Sequence, residues 1–339
     1  MDLATEILLY VSSAVIIHIL VFYFVMVTKK KGRNIKDKHV VVTGGSSGIG
    51  LWIAVTCAKQ GAHVTLVARN VQLLEKALKV VEQHRQDASQ RLSFKSIDLT
   101  KSYDEVAKSL EEVEEQNGPI YMLVNCAGMA ICGVFEEITP EDAQFLMDVN
   151  YKTAYNCTRY VLPKMKHARD GIIVITGSQA SLLGIYGYGP YAAAKFALRG
   201  MAETIAMEAS HLGVSVTLAL PADTDTPGFE NEEKTKPEET KIISGSGGLH
   251  KPEEVAKKIV SDALNENFFS ILGAESWVVT LLCSGMAPWG GFLFTVLQAF
   301  ALIPLRIISY FVRGQFTSIV RKCAAQKKLR QEVKEKKSN

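Results

Sequence analysis

Thr43-Gly44-Gly45-Ser46-Ser47-Gly48-Ile49-Gly50 is the stretch on which the fold turns. It follows a β-rich run, His39-Val40-Val41-Val42-Thr43, and opens a helical pattern over residues 48–60. A strand that ends in such a turn surrounds a dinucleotide pyrophosphate with backbone N–H groups at the following helix N-terminus. A glycine-rich turn is weak evidence alone; its place between strand and helix gives it weight. The same alternation continues outward. Strands are expected over residues 63–68, 92–96, 122–125, 171–176 and 214–220, with helical stretches such as 71–86 between them. That rhythm predicts an α/β protein: a doubly wound parallel sheet with helices on both faces.

Tyr191-Ala192-Ala193-Ala194-Lys195 sets a phenol and an ammonium at i and i+4, on one helix face. Free tyrosine titrates near 10, too high for acid–base work at neutral pH. An ammonium about 4 Å away contributes about 4 kcal/mol, enough to bring the phenol to near 7. Tyr160-Val161-Leu162-Pro163-Lys164 repeats the spacing, but Pro163 is expected to interrupt the helix there. Thirteen residues before Tyr160 stands Met147; thirteen before Tyr191 stands Ser178, just past a strand end, where a hydroxyl can meet a substrate carbonyl. At the end of the second strand, Val67-Ala68-Arg69-Asn70 carries no acid for the ribose 2′-OH of NAD. Arg69 can instead pair with a 2′-phosphate, so NADP(H) is expected, as NADPH in a reduction. The competing reading of Arg69 is an ordinary surface arginine.

Thr43 to Gly50, Asp98, Asn125-Cys126-Ala127-Gly128, Asn150, Ser178, Tyr191, Lys195 and Pro221 together resemble the motifs of the short-chain dehydrogenase/reductase family, in order and spacing, over roughly residues 37–265. The resemblance implies a Rossmann fold and a carbonyl–alcohol oxidoreductase. It implies that Ser178 orients the carbonyl and Tyr191 donates the proton. Lys195 would lower the Tyr191 pKa and bind the nicotinamide ribose, and Asn150 would support a water relay to Lys195. The cofactor would lie against Gly44, Ser46, Ser47, Gly48, Ile49, Gly50, Arg69, Asp98, Leu99, Asn125 and Pro221, with Asp98 at the adenine and Asn125 bracing the central sheet. From the residues alone, Asn150 reads equally as a helix-kink residue and Asp98 as a strand-end turn former.

The termini point to a membrane. Residues 7–27 hold no Asp, Glu, Lys or Arg, and at about 1.5 Å per residue they reach roughly 30 Å, enough to cross a bilayer core. Lys29, Lys30, Lys31 and Arg33 follow, as expected for an uncleaved anchor whose C-terminal side is cytosolic. Residues 277–312 are apolar apart from Arg306; two crossings and a turn need more residues, so a shallow hairpin is expected. Ile307, Ile308, Phe311, Val312, Phe316, Ile319 and Val320 then recur at helical spacing, as in an interfacial helix or, alternatively, a core or dimer helix of a homo-oligomer. The expected division is an anchor and basic flank (1–33), a dinucleotide-binding catalytic domain (34–270), an apolar hairpin with amphipathic segment (271–320) and a basic cytosolic tail (321–339). The tail ends Lys336-Lys337-Ser338-Asn339, which is similar to a dilysine signal for the endoplasmic reticulum membrane.

The net charge of +3 is too small to argue for nucleic acid. Six cysteines without CxxC pairing or zinc-like spacing predict no metal site and a reducing compartment. Residues 229–250 read as a polar loop, either a flap over a cleft or plain surface. The stretches Pro221 to Phe229 and Thr235-Lys236-Pro237 resemble a branch of the family that reduces a long-chain lipid ketone, with Ala222 departing where a second proline is expected. Asp223 or Asp225 either meets a cationic substrate group or forms the turn before Pro227. A retinoid or steroid carbonyl is the rival substrate, and an idle membrane scaffold the rival of another class.

Overall fold

The computed structural model describes residues 32–245 and 248–338, with side chains to residue 334. The anchor expected over residues 7–27, the lysines at 29–31 and the Lys336 to Asn339 signal lie outside these bounds. Arg33, grouped above with the basic flank, belongs instead to the folded domain. Its guanidinium lies 3.0 Å from Asp170 and 2.7 Å from Glu266, and it donates to the carbonyls of Gly171 and Gly213.

Seven parallel strands form one sheet in the order β3-β2-β1-β4-β5-β6-β7. They are β1 (His39–Thr43), β2 (His63–Ala68), β3 (Leu92–Ser96), β4 (Ile120–Asn125), β5 (Gly171–Thr176), β6 (Val214–Ala219) and β7 (Phe269–Ser270). Side chains alternate across the strands, so Val41, Ile173 and Ile175 enter one core and Val40, Val42, Ile172 and Val174 the other. Helices α3 (Tyr103–Asn117), α5 (Thr153–Ala168) and α6 (Gly189–Ala209) close the first core. Helices α1 (Gly48–Ala58), α2 (Val71–Glu82) and α9 (Pro252–Leu264) close the second. Burial on both faces is why the strands read as Val/Ile runs without polar alternation. Strand order reverses between β1 and β4, which opens a crevice at their carboxyl ends.

Three expectations about the chain's course change. Helix α5 runs through Pro163 without a break, preceded by a π-turn at Asp148–Lys152. Proline removes one ladder bond, and burial of Tyr160, Val161 and Met165 around it holds the helix together. The polar loop expected over 229–250 is largely helical: α7 (Pro227–Thr235) and α8 (Glu238–Ser244). Thr226 starts α7 by accepting from the Phe229 N–H, with Pro227 in the first turn. The expected C-terminal hairpin is two separate helices, α10 (Ala274–Cys283) and α11 (Phe292–Ser338). The boundary drawn at residue 320 falls inside α11, whose 47 residues at about 1.5 Å each reach roughly 70 Å. Its apolar part has a mean hydropathy of 1.9 and no buried share, and it is long enough to cross a membrane by length and composition. Its basic part packs on α8, with Lys327 2.8 Å from the buried Glu239 and Cys323 covered.

Candidate active site

The nucleotide turn needs its glycines. Gly44 and Gly48 have φ of +66° and +53°, where a side chain is strained. A Cβ on Gly44 would lie 2.8 Å from the Cys126 carbonyl, and one on Gly50 2.4 Å from the Gly44 carbonyl. Ser47 makes no side-chain cap on α1, so that helix start is shaped for an outside anion. Thr43 ties the strand ends beneath it: its hydroxyl donates to the Val124 carbonyl and accepts from the N–H groups of Cys126 and Ala127. These features fit a dinucleotide pyrophosphate.

At the crevice's adenine end, Arg69 is exposed at the end of β2 and lines the same cavity as Asp98 and Leu99. The Asp98 carboxylate accepts from the Thr100 hydroxyl and N–H, which holds its pKa below the usual carboxylate range. Asp98 therefore does form the strand-end turn, while still facing the cavity. Asn125 donates to the Thr158 hydroxyl at 3.0 Å, bracing β4 against α5 rather than against a neighbouring strand.

The catalytic candidates converge from three elements. Tyr191 and Lys195 stand in the first turns of α6, and Ser178 follows β5. The Ser178 hydroxyl accepts from the Ala180 N–H, while its own N–H is held by Ser181, so the side chain is fixed. Lys195 is buried and donates to the Thr176 carbonyl at 3.0 Å. Its ammonium stands 5.6 Å from the Tyr191 ring centre. Asn150 sits in the π-turn, donating to the Leu146 and Met129 carbonyls and accepting from the Met129 N–H. A Cβ on Gly128 would meet Asn150 Oδ1 at 2.5 Å and Lys195 Nζ at 3.5 Å, so both groups close on that glycine. Asn150 thus shapes the helix turn and also borders the lysine.

The electrostatics overturn one expectation. Tyr191 is not brought down toward neutrality: burial raises its pKa, the charges of Glu232 and Asp223 add to this, and only its hydrogen bond with Ser178 opposes it. Burial also pulls Lys195 down to about 8. Dehydration outweighs the Coulomb attraction expected from spacing alone. The other Tyr-x-x-x-Lys pair has no part in the cavity; Tyr160 and Lys164 both donate to Glu114 where α3 meets α5.

A cavity of about 500 Å³ joins the nucleotide turn and Arg69 to Ser178, Tyr191, Lys195 and Pro221. Sequence reasoning missed part of its wall. Tyr188 donates to Glu232, and the fully buried Lys236 ammonium lies 3.0 Å from Glu232, 2.7 Å from Glu233 and 3.5 Å from Asp223. The Glu232–Lys236 spacing of four and the position of Tyr188 three residues before Tyr191 were the available signals. Asp223 faces the cavity, whereas the Asp225 N–H is bonded to the His250 carbonyl, a turn role.

Comparison with known proteins agrees with this geometry. Residues 38–237 match the family model described as short chain dehydrogenase. The 3-ketodihydrosphingosine reductase of Bos taurus is 42% identical over 94% of this chain and 97% of its own length. The 3-dehydrosphinganine reductase of Danio rerio is 41% identical over the same shares. Among solved structures, levodione reductase superposes with a TM-score of 0.62 at 24% identity, covering 68% of this chain and 91% of its own, a likeness of fold. The chain belongs to the short-chain dehydrogenase family, nicotinamide-dependent oxidoreductases acting on a CH–OH/C=O pair.

Proposed function

We propose that the chain reduces 3-ketodihydrosphingosine, a long-chain 2-amino-3-ketone, to sphinganine with NADPH, at the cytosolic face of the endoplasmic reticulum membrane. The observation that carries this reading is near full-length identity of 41–42% to reductases named for that substrate. The cavity wall favours an amino ketone over a neutral retinoid or steroid. Glu232 and Asp223 both line it and share the single ammonium of Lys236, which leaves negative charge for a substrate ammonium beside the ketone.

Bound NADPH supplies the hydride. Residues 44–50 hold its pyrophosphate, Asp98 and Leu99 its adenine, Arg69 its 2′-phosphate, and Lys195 its nicotinamide ribose, with Pro221 beside it. Ser178 orients the substrate carbonyl. Tyr191, kept protonated by its raised pKa, donates to the carbonyl oxygen as charge develops there. A substrate ammonium beside Glu232 and Asp223 offsets the charges that hold Tyr191 high, making the phenol a better acid once substrate is in place. Asn150, bordering Lys195, supports the water relay that returns a proton.

The test is a panel assay of the detergent-solubilised chain with 3-ketodihydrosphingosine, retinal and a ketosteroid, each with NADPH and NADH. The amino ketone with NADPH should give the highest kcat/KM, and Arg69→Ala should erode the NADPH preference by about tenfold or more. A better retinal or steroid rate contradicts the substrate; equal use of NADH contradicts the cofactor.

A further inference from the structure

The catalytic cavity has an apolar continuation. A second pocket of about 240 Å³ is lined by Ile185, Tyr186, Ile243, Phe316, Thr317 and Val320. Ile185, Ile243 and Phe316 also line the cavity that holds Tyr191, so the two spaces share a wall. Its sides come from the segment before α6, from α8 and from the middle of α11, and they are fastened to one another. The Thr240 hydroxyl donates to the Tyr186 carbonyl at 2.6 Å, and Lys327 pairs with Glu239, whose side chain is 1% exposed. Phe316 and Val320 lie outside residues 38–237, so this continuation is built from the chain's C-terminal extension. On preceding turns of α11, Phe300, Ile303, Ile307 and Phe311 are each 60–69% exposed.

We propose that this continuation holds the substrate's alkyl chain, which leaves the ketone at Ser178 and Tyr191, passes Ile185, Ile243 and Phe316, and emerges beside α11. The inference rests on the proposed long-chain amino ketone. A dinucleotide takes up most of a 500 Å³ cavity, so a long chain has to leave it. The shared apolar wall leads out beside the helix whose uncovered face suits the membrane interior. The lipid thus reaches the site with its chain shielded from water, and each buried methylene is worth about threefold to fourfold in kcat/KM.

The experiment compares two 2-amino-3-ketones, with octadecyl and octyl chains, in mixed micelles of fixed composition. Full-length wild type is set against Val320→Trp on α11 and Ile243→Trp on α8, with melting temperature as the folding check. The long-to-short ratio of kcat/KM should fall by about tenfold or more in folded variants from either wall, mainly through the KM of the long homologue. An unchanged ratio in both variants, or equal loss on both homologues in a normally melting protein, overturns the path. Absence of turnover of either homologue by wild type would instead count against the proposed function.

Discussion

Tyr191 and Lys195 depart in opposite directions from their free values, and both do so because they are buried. The sign of the pH effect follows. In reduction Tyr191 must start protonated, which its raised pKa secures across neutral pH. Lys195, pulled down to about 8, is an ammonium below that pH and a neutral amine above it. Reduction should therefore be flat below about pH 8 and decline above it. Lys195→Arg, whose guanidinium stays charged throughout, should turn over more slowly and lack that decline. A wild-type profile flat to pH 10 would contradict the role of Lys195. The Tyr–Lys spacing and the upstream Ser178 were legible in sequence because one helix and one strand end position them. The direction of the Tyr191 shift was not, since it depends on dehydration and on Glu232. Nothing in a run with acids at 230, 232 and 233 marks the residue that turns inward.

Among the elements, β1, β2, β3 and β5 begin and end where their β-branched runs do, because strands buried on both faces write their burial directly into composition. Helices α7 and α8 were hidden by short length, acidic residues and flanking prolines, which read as loop chemistry. Continuity of α5 and α11 was hidden by Pro163 and Pro304, since packing, not local propensity, decides whether a helix survives one lost bond. The contact of α11 with α8 is testable at this scale. Lys327→Ala leaves the buried Glu239 carboxylate without its ammonium; because Lys327 is half-exposed, the cost is about 1 kcal/mol. The variant should melt lower and lose the C-terminal half of α11 faster to limited proteolysis. Wild-type melting and cleavage would show that the pair does not fasten the helix.

For the whole molecule, the crevice at the sheet's point of reversal, the charged wall of α7 and the apolar face of α11 lie in sequence along one substrate path. The first part was legible as a glycine turn beside a strand. The last was not, because the join between a catalytic cavity and a C-terminal helix is a long-range contact with no local signature. The measurement that bears most directly on the central claim is formation of sphinganine from 3-ketodihydrosphingosine and NADPH by the purified full-length chain, followed by mass spectrometry beside Tyr191→Phe. Stoichiometric sphinganine from wild type, with kcat reduced by about 10²–10⁴ in the folded variant, is the predicted result. No sphinganine from wild type, or equal rates from the two proteins, would contradict it.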